Sequence, residues 1–125
     1  KKILNSRKQK PFHIRKPSND YFALVPIQNK TIVGFAVGRK KEKKGRLRAL
    51  YVKLAKTSQG IGTQLLQWTV KAFKKRNCTT VLVHVLFRNK PAIQFYEWNG
   101  FRKTKTKTVH VHRVSFKVWE MKKKL

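Results

Sequence analysis

"LYVKLAKTSQGIGTQLL", Leu50 to Leu66, is the stretch on which the fold turns. It begins apolar, passes through a polar loop with two glycines separated by one residue, and ends in an amphipathic run. That order reads as strand, loop, helix. The helix extends from about Gly60 to Arg76, because Ile61, Leu65, Leu66, Val70, Ala72 and Phe73 recur at helical spacing. Lys71, Lys74, Lys75 and Arg76 fall in its last turns, where the helix dipole favours cations. A glycine-punctuated helix start is either a plain turn or an anion cradle of unpaired amides. "QGIGT" does not match the dinucleotide fingerprint, since Leu65 stands where its third glycine belongs, and it does not match the phosphate-binding P-loop. The loop by itself leaves both readings open.

Outward from this stretch the chain alternates strands and helices. "YFALVPI" (Tyr21 to Ile27) and "TIVGFAVG" (Thr31 to Gly38) read as strands joined by a turn at "QNK". "RKKEKKGR" reads as a charged loop closed by Gly45, and "LRALYVKL" (Leu47 to Leu54) as an apolar, central strand. "TTVLVHVLF" (Thr79 to Phe87) has the continuous apolar content of a buried strand. "NKPAIQFYEWNG" reads as a second helix, with Asn89 as N-cap, Pro91 in the first turn and Gly100 as the stop. "FRKTKTKT" and "VHRVSFKVWEM" complete the set as two strands. The first of these places Lys103, Lys105 and Lys107 on one face and threonines on the other, so it buries little and projects as half of a ribbon. The expected fold is α/β, a mixed sheet with at least two helices packed on it. A basic arm over residues 1–20, with a short strand near Phe12 to Ile14, precedes a single domain over residues 21–125.

The charge is extreme. Among 125 residues, 32 are Lys or Arg and 4 are Asp or Glu, a formal net charge of +28. Self-repulsion of that size opposes compaction unless a polyanion screens it, and Lys and Arg on phosphates supply sequence-independent affinity for nucleic acid. Arg39, Lys40, Lys41, Lys43, Lys44 and Arg46 form one basic cluster, and Arg102, Lys103, Lys105 and Lys107 another. RNA or a ribonucleoprotein, ribosomal RNA or tRNA, is the expected partner. A membrane is not, since no apolar run approaches about 20 residues. Cys78 is the one cysteine, which excludes an internal disulfide and a cysteine-based metal site. His110 and His112 alternate on one strand with no carboxylate near them in sequence, so no metal site is assigned. Lys1 and not Met stands first, which leaves open what precedes it.

Three segments together, "VGFAV", "LYVKLAKTSQGIGTQLL" and "NKPAIQFYEWNGF", resemble the GNAT family of N-acetyltransferases. In that family a central strand ending in Val leads to a loop R/Q-x-x-G-x-G/A whose amides hold the pyrophosphate of acetyl-CoA. Counting from Val52, Gly60 and Gly62 fall on the two glycines, while Thr57 stands at the Arg/Gln position and Ser58 replaces a frequent glycine. The family's N-x-x-A-x-x-x-Y-x-x-x-G-F is matched by Asn89, Ala92, Tyr96, Gly100 and Phe101.

The resemblance implies a largely antiparallel GNAT-like sheet, with the family's N-terminal helices reduced or absent. It implies acetyl-CoA as cofactor. Leu50, Tyr51 and Val52 would line the pantetheine arm, with the backbone N–H of Val52 or a neighbour polarising the thioester carbonyl. Thr57, Ser58, Gln59, Gly60, Ile61, Gly62 and Thr63 would hold the pyrophosphate, and Asn89, Ala92 and Tyr96 would adjoin the cofactor. Tyr96 matches the tyrosine that protonates the departing thiolate. His84 stands where family members that acetylate ribosomal-protein N-termini carry a Glu base, twelve residues before Tyr96. No carboxylate lies on the two strands that would flank the slot.

Two readings follow. One is an acetyl-CoA-dependent N-acetyltransferase working beside RNA, its acceptor a primary amine on a ribosomal protein or on an aminoacyl-tRNA, as in the family's toxin members. The other is a GNAT-fold structural subunit of a ribonucleoprotein such as an organellar ribosome, with catalysis weak or lost. Both place the chain inside the cell at ribosomes, in the cytoplasm or in an organelle such as the mitochondrion.

Overall fold

The structure is a computed structural model that describes residues 20–53 and 60–125. The basic arm before residue 20, the short strand expected at Phe12 to Ile14, Leu54, and loop residues Thr57, Ser58 and Gln59 lie outside the described residues. The elements run β1 (Tyr21–Leu24), β2 (Ile27–Gln28), β3 (Thr31–Ile32), β4 (Gly34–Lys41), β5 (Lys44–Val52), α1 (Ile61–Lys75), β6 (Thr80–Leu86), α2 (Lys90–Trp98), β7 (Arg102–Val111) and β8 (Val114–Lys124). Six strands form one sheet in the order β1-β4-β5-β6-β8-β7, and β2 pairs with β3 in a small hairpin of its own. Every neighbouring pair in the large sheet is antiparallel except β5 and β6. A parallel pair needs a crossover, and α1 supplies it. The mixed, largely antiparallel sheet with two helices packed on it is the fold expected from the sequence.

Both helices cover one face. On α1, Ile61, Leu65, Thr69 and Phe73 recur every fourth residue and are buried together with Leu66. Phe73 packs edge-on against Phe22 of β1 and lies directly over Gly38 and Gly45, where a Cβ would collide with its ring. Thr69 satisfies its buried hydroxyl by donating to the Leu65 carbonyl at 2.7 Å. On β6, Val81, Val83 and Val85 face this core, while Leu82, His84 and Leu86 alternate to the other side. Burying a side chain of the size of Phe73 stabilises by about 1.5–3 kcal/mol, so this single ring is a principal anchor of α1 on the sheet.

Four expectations need correction. "RKKEKKGR" is not a loop: β4 and β5 run through it and turn over only Glu42 and Lys43, with Glu42 at φ 58°. The strand expected over Thr31 to Gly38 is interrupted at Val33, whose N–H bonds to the Pro26 carbonyl at 3.1 Å. Pro26 itself has no N–H for a ladder and ends the first strand early. The last hairpin turns at His112 and Arg113, four residues beyond "KTKT", with His112 at φ 56°. His112 therefore sits in the turn and does not share a strand face with His110, which instead hydrogen-bonds Ser115 Oγ through Nδ1 at 2.7 Å. Finally, a bulge between Lys103 and Lys105 breaks the alternation of β7. Lys103 lies opposite Met121 with its Nζ over the Trp119 ring, whereas Lys105 lies opposite Glu120, on the other face.

Candidate functional site

β5 and β6 are paired over only four residues, Lys44 to Leu47 against Thr80 to Val83. Beyond that point they part. β5 continues to Val52 along β4, and β6 continues to Leu86 along β8. The gap between them is a slot of about 230 Å³ walled by Arg48, Leu50, Val83, His84, Val85, Asn89, Ala92 and Tyr96. At its mouth a second, apolar hollow of about 220 Å³ is formed by Leu50, Val52, Gly62 and Phe95. The backbone of β5 has a polar role here. Lys53 N–H donates to the Val33 carbonyl at 2.8 Å, on the β4 side. Successive N–H groups of a strand point to opposite edges, so Val52 and Leu50 direct theirs into the gap.

α1 begins beside this mouth. Gly60, its N-cap, adopts φ 75° and makes no side-chain cap, and that left-handed conformation suits glycine. The Gly60 carbonyl accepts the first intrahelical bond, from Gln64 at 3.1 Å. The amides of Ile61, Gly62 and Thr63 thus precede the helix ladder, as at any helix start. No acidic residue stands in the first turn. The Ile61 side chain is fully buried, so only its backbone is available to a ligand. Leu50, Val52, Asn89, Ala92, Tyr96, Gly62 and His84 are brought together by the slot and the hollow at its mouth. Tyr51 is not: its ring is 51% exposed on the other side of the strand, 5.5 Å from Phe35.

Tyr96 is placed by α2. Asn89 caps this helix, its Oδ1 accepting from Ala92 N–H at 3.2 Å, and Ile93 and Tyr96 form the buried face. The Phe95 and Phe101 rings pack edge-on against Tyr96 at 5.2 and 5.3 Å. With 8% of its surface exposed, Tyr96 has its phenol pushed up to about 12 by burial. It keeps its proton at any physiological pH.

His84 meets a carboxylate that sequence reasoning missed. β6 and β8 place His84 directly opposite Glu120, and His84 Nε2 lies 3.3 Å from Glu120 Oε1. Burial by itself would raise the Glu120 carboxyl, but the His84 hydrogen bond and the charges of Lys107 and Lys105 outweigh it, leaving it below the ordinary carboxylate value. Lys107 Nζ is 3.6 Å from the same oxygen. An ionised carboxylate only accepts hydrogen bonds, so Nε2 carries the proton and Nδ1 is the proton-accepting nitrogen of neutral His84. The signal available in the sequence was a Glu inside the apolar run "VWEM". Its partner could be found only through the pairing of strands 36 residues apart.

Of the basic residues singled out, Arg39, Lys40, Lys41, Lys44, Arg46, Lys105 and Lys107 line one groove of about 760 Å³, with Arg48 joining them. Lys43 lies in the hairpin turn, and Arg102 and Lys103 lie away from the groove. Arg48 borders both groove and slot. Among the described residues, no three His, Cys, Asp or Glu side chains gather as a metal site, and no helix is long and apolar enough to cross a membrane.

Comparison with known proteins adds the following. The Acetyltransferase (GNAT) family matches over residues 3–101. No curated protein matches the chain. Among solved structures, the PaiA N-acetyltransferase of Thermoplasma acidophilum in complex with coenzyme A is similar, with 26% identity and a TM-score of 0.72 over 85% of this chain. This chain spans 62% of the length of that protein. The ribosomal-protein-S18-alanine N-acetyltransferase of Escherichia coli shares the fold at 22% identity, with a TM-score of 0.75 over 86% of this chain and 71% of that one. A GNAT family acetyltransferase from Elizabethkingia anophelis with acetyl-CoA bound shares it at 14% identity, with a TM-score of 0.76 over 92% and 95% of the two chains.

Proposed function

The chain belongs to the Acetyltransferase (GNAT) family, and we propose that it transfers an acetyl group from acetyl-CoA to a primary amine. The parting of β5 from β6, with Tyr96 and His84 on the walls of the gap, carries this reading. The residues present fit the cofactor. The apolar hollow of Leu50, Val52, Gly62 and Phe95 suits a pantetheine arm. Amides at a helix start without acidic side chains suit a pyrophosphate. The coenzyme A complex of the Thermoplasma acidophilum protein is consistent with the same use of this scaffold.

Acetyl-CoA supplies an activated thioester, so that a C–N bond to the amine forms as the C–S bond breaks, the amine loses a proton and the thiolate gains one. The chain's own groups divide this work. His84 accepts the amine proton at Nδ1, while Glu120 holds the ring through Nε2–H and offsets the imidazolium charge. The Val52 N–H, directed into the gap, stabilises negative charge developing on the carbonyl oxygen. Tyr96, neutral in its buried place, donates the proton that the sulfur needs. Burial disfavours a thiolate as it disfavours a phenolate, so donor and acceptor are shifted in the same direction.

Isothermal calorimetry with acetyl-CoA tests the reading. Binding to the unmutated chain is expected. Gly62→Leu should abolish it without unfolding the protein, because a Cβ at Gly62 sits at ordinary distances of 3.6 Å from Phe95 and 3.7 Å from Val52 and a longer side chain fills the mouth. Absence of binding by the unmutated chain overturns the proposal. The cations beside the slot favour a second reading, a ribonucleoprotein subunit on the same scaffold, at a cytoplasmic or organellar ribosome. Stoichiometric, salt-sensitive sedimentation with ribosomes in a chain that ignores acetyl-CoA would select it.

A further inference from the structure

The sheet face opposite the two helices carries a groove whose twelve lining residues include eight Lys or Arg and three Asp or Glu, although one of the eight, Lys40, turns its ammonium to the Arg76 carbonyl at the end of α1. Its banks are built by strand pairing. On one side, Arg39 stands directly opposite Arg46 and Lys41 directly opposite Lys44 across β4 and β5. Like charges directly opposite one another in an antiparallel pair destabilise it. Two such pairs in succession are tolerable when an anion lies between them. On the other side, Lys105 and Lys107 extend from β7. β5 and β7 are three strand spacings apart, about 14 Å. Leu82 lies between the banks, and no aromatic ring is among the lining residues.

We propose that this groove binds a single strand of nucleic acid through its phosphates. Lys44, Arg46 and Arg48 recur at every second residue of β5, a repeat of about 7 Å, of the same order as the spacing of successive phosphates along a strand. The width admits one strand and is too narrow for a duplex lying within it. Without a stacking platform among the described residues, affinity comes from phosphate contacts and carries no base preference. Of the three acids, Glu120 is already engaged by His84 and Lys107, so it repels a phosphate less than a free carboxylate would. The groove and the slot meet at Arg48 and at the His84–Glu120 pair, so a bound strand lies next to the slot. The inference rests on the groove alone and holds under either reading of function.

The test uses the full chain without acetyl-CoA and a fluorescein-labelled twelve-nucleotide oligouridylate, read by fluorescence anisotropy at two salt concentrations. Binding that weakens steeply with salt is expected. Arg46→Glu with Lys105→Glu should weaken it by about tenfold or more. Lys71→Glu with Lys74→Glu on α1, the same change of charge on the other side of the sheet, should weaken it by less than about threefold. If the groove double variant misfolds, Arg46→Gln serves: it should weaken binding yet raise the melting temperature of the free protein, because it relieves the pair with Arg39. Three results overturn the proposal: no binding, equal losses in the two double variants, or polyglutamate competing as well as oligouridylate at equal charge concentration. The last would assign the groove to an acidic peptide.

Discussion

Replacing Tyr96 by Phe removes one hydroxyl and keeps the ring clamped between Phe95 and Phe101. The phenol is pushed from 10.0 to about 12 by burial, and two consequences can be computed from that shift. The first concerns catalysis. At pH 9.5 a tyrosine at 10.0 would be about a quarter ionised and one at about 12 about 0.3% ionised. The rate of the unmutated protein should therefore show no descending limb from Tyr96 up to pH 9.5. Loss of a positioned proton donor should lower kcat by about 10²- to 10⁴-fold, with the KM for acetyl-CoA nearly unchanged. The second consequence concerns stability. A raised folded-state value means that the contribution is complete below pH 10 and is lost as pH rises toward 12. At 1.36 kcal/mol per unit, two units amount to about 3 kcal/mol in full and about 1 kcal/mol by pH 11. Urea unfolding at pH 9 and pH 11 measures this, and the difference between the unmutated protein and Tyr96→Phe cancels the lysine titrations common to both. The unmutated protein should lose about 1 kcal/mol more than the variant over that interval. Parallel losses, with kcat within about threefold, would refute both the burial of this hydroxyl and its role as donor.

Glu120→Gln should flatten the acid side of the stability curve. Its carboxyl lies below its ordinary value, so its stabilisation is present at neutral pH and is lost as pH falls through the acid range, as chemical denaturation at pH 7 and pH 3 would record. The same variant should lower kcat more than it raises KM, since it frees the His84 ring to rotate. Gly45→Ala places a Cβ 2.5 Å from Phe73 Cδ1 and should cost about 1–3 kcal/mol, read as a lower melting temperature. Asn89→Ala removes the cap on α2 and should cost about 0.5–2 kcal/mol in denaturant unfolding.

Where periodicity and glycine placement carry structure, the sequence was readable. α1 and α2 follow from apolar spacing with Gly60, Asn89 and Gly100 at their ends. The turn at "QNK" follows from Asn29 and Lys30, both at positive φ, as a two-residue hairpin requires. The hairpins of β4–β5 and β7–β8 were misplaced because neither turn contains Gly or Asn. Glu42 and His112 accept left-handed φ in their place. "RKKEKKGR" has poor strand propensity, and its strand character comes from the pairing that β4 and β5 propagate beyond Gly38 and Leu47. Tertiary pairing overrides local preference there.

The candidate site divides along the same physical line. Tyr96 and the glycines of the α1 start are local features, each set by its own helix, and the resemblance to the family's motifs is what singles them out. The His84–Glu120 pair is set by register between β6 and β8, and a slip of one residue would turn every side chain of β8 to the other face. Read singly, neither "LVHV" nor "VWEM" reveals that register, because neither says which strand it pairs with. It is fixed by Val83 against Met121 and Val85 against Trp119, whose apolar side chains must face the helices. Core packing thereby delivers a carboxylate to a histidine on the helix-free face. The absence of an acid from the two strands flanking the slot thus gave no measure of the site's chemistry, because the required charge arrives from the next strand in the sheet.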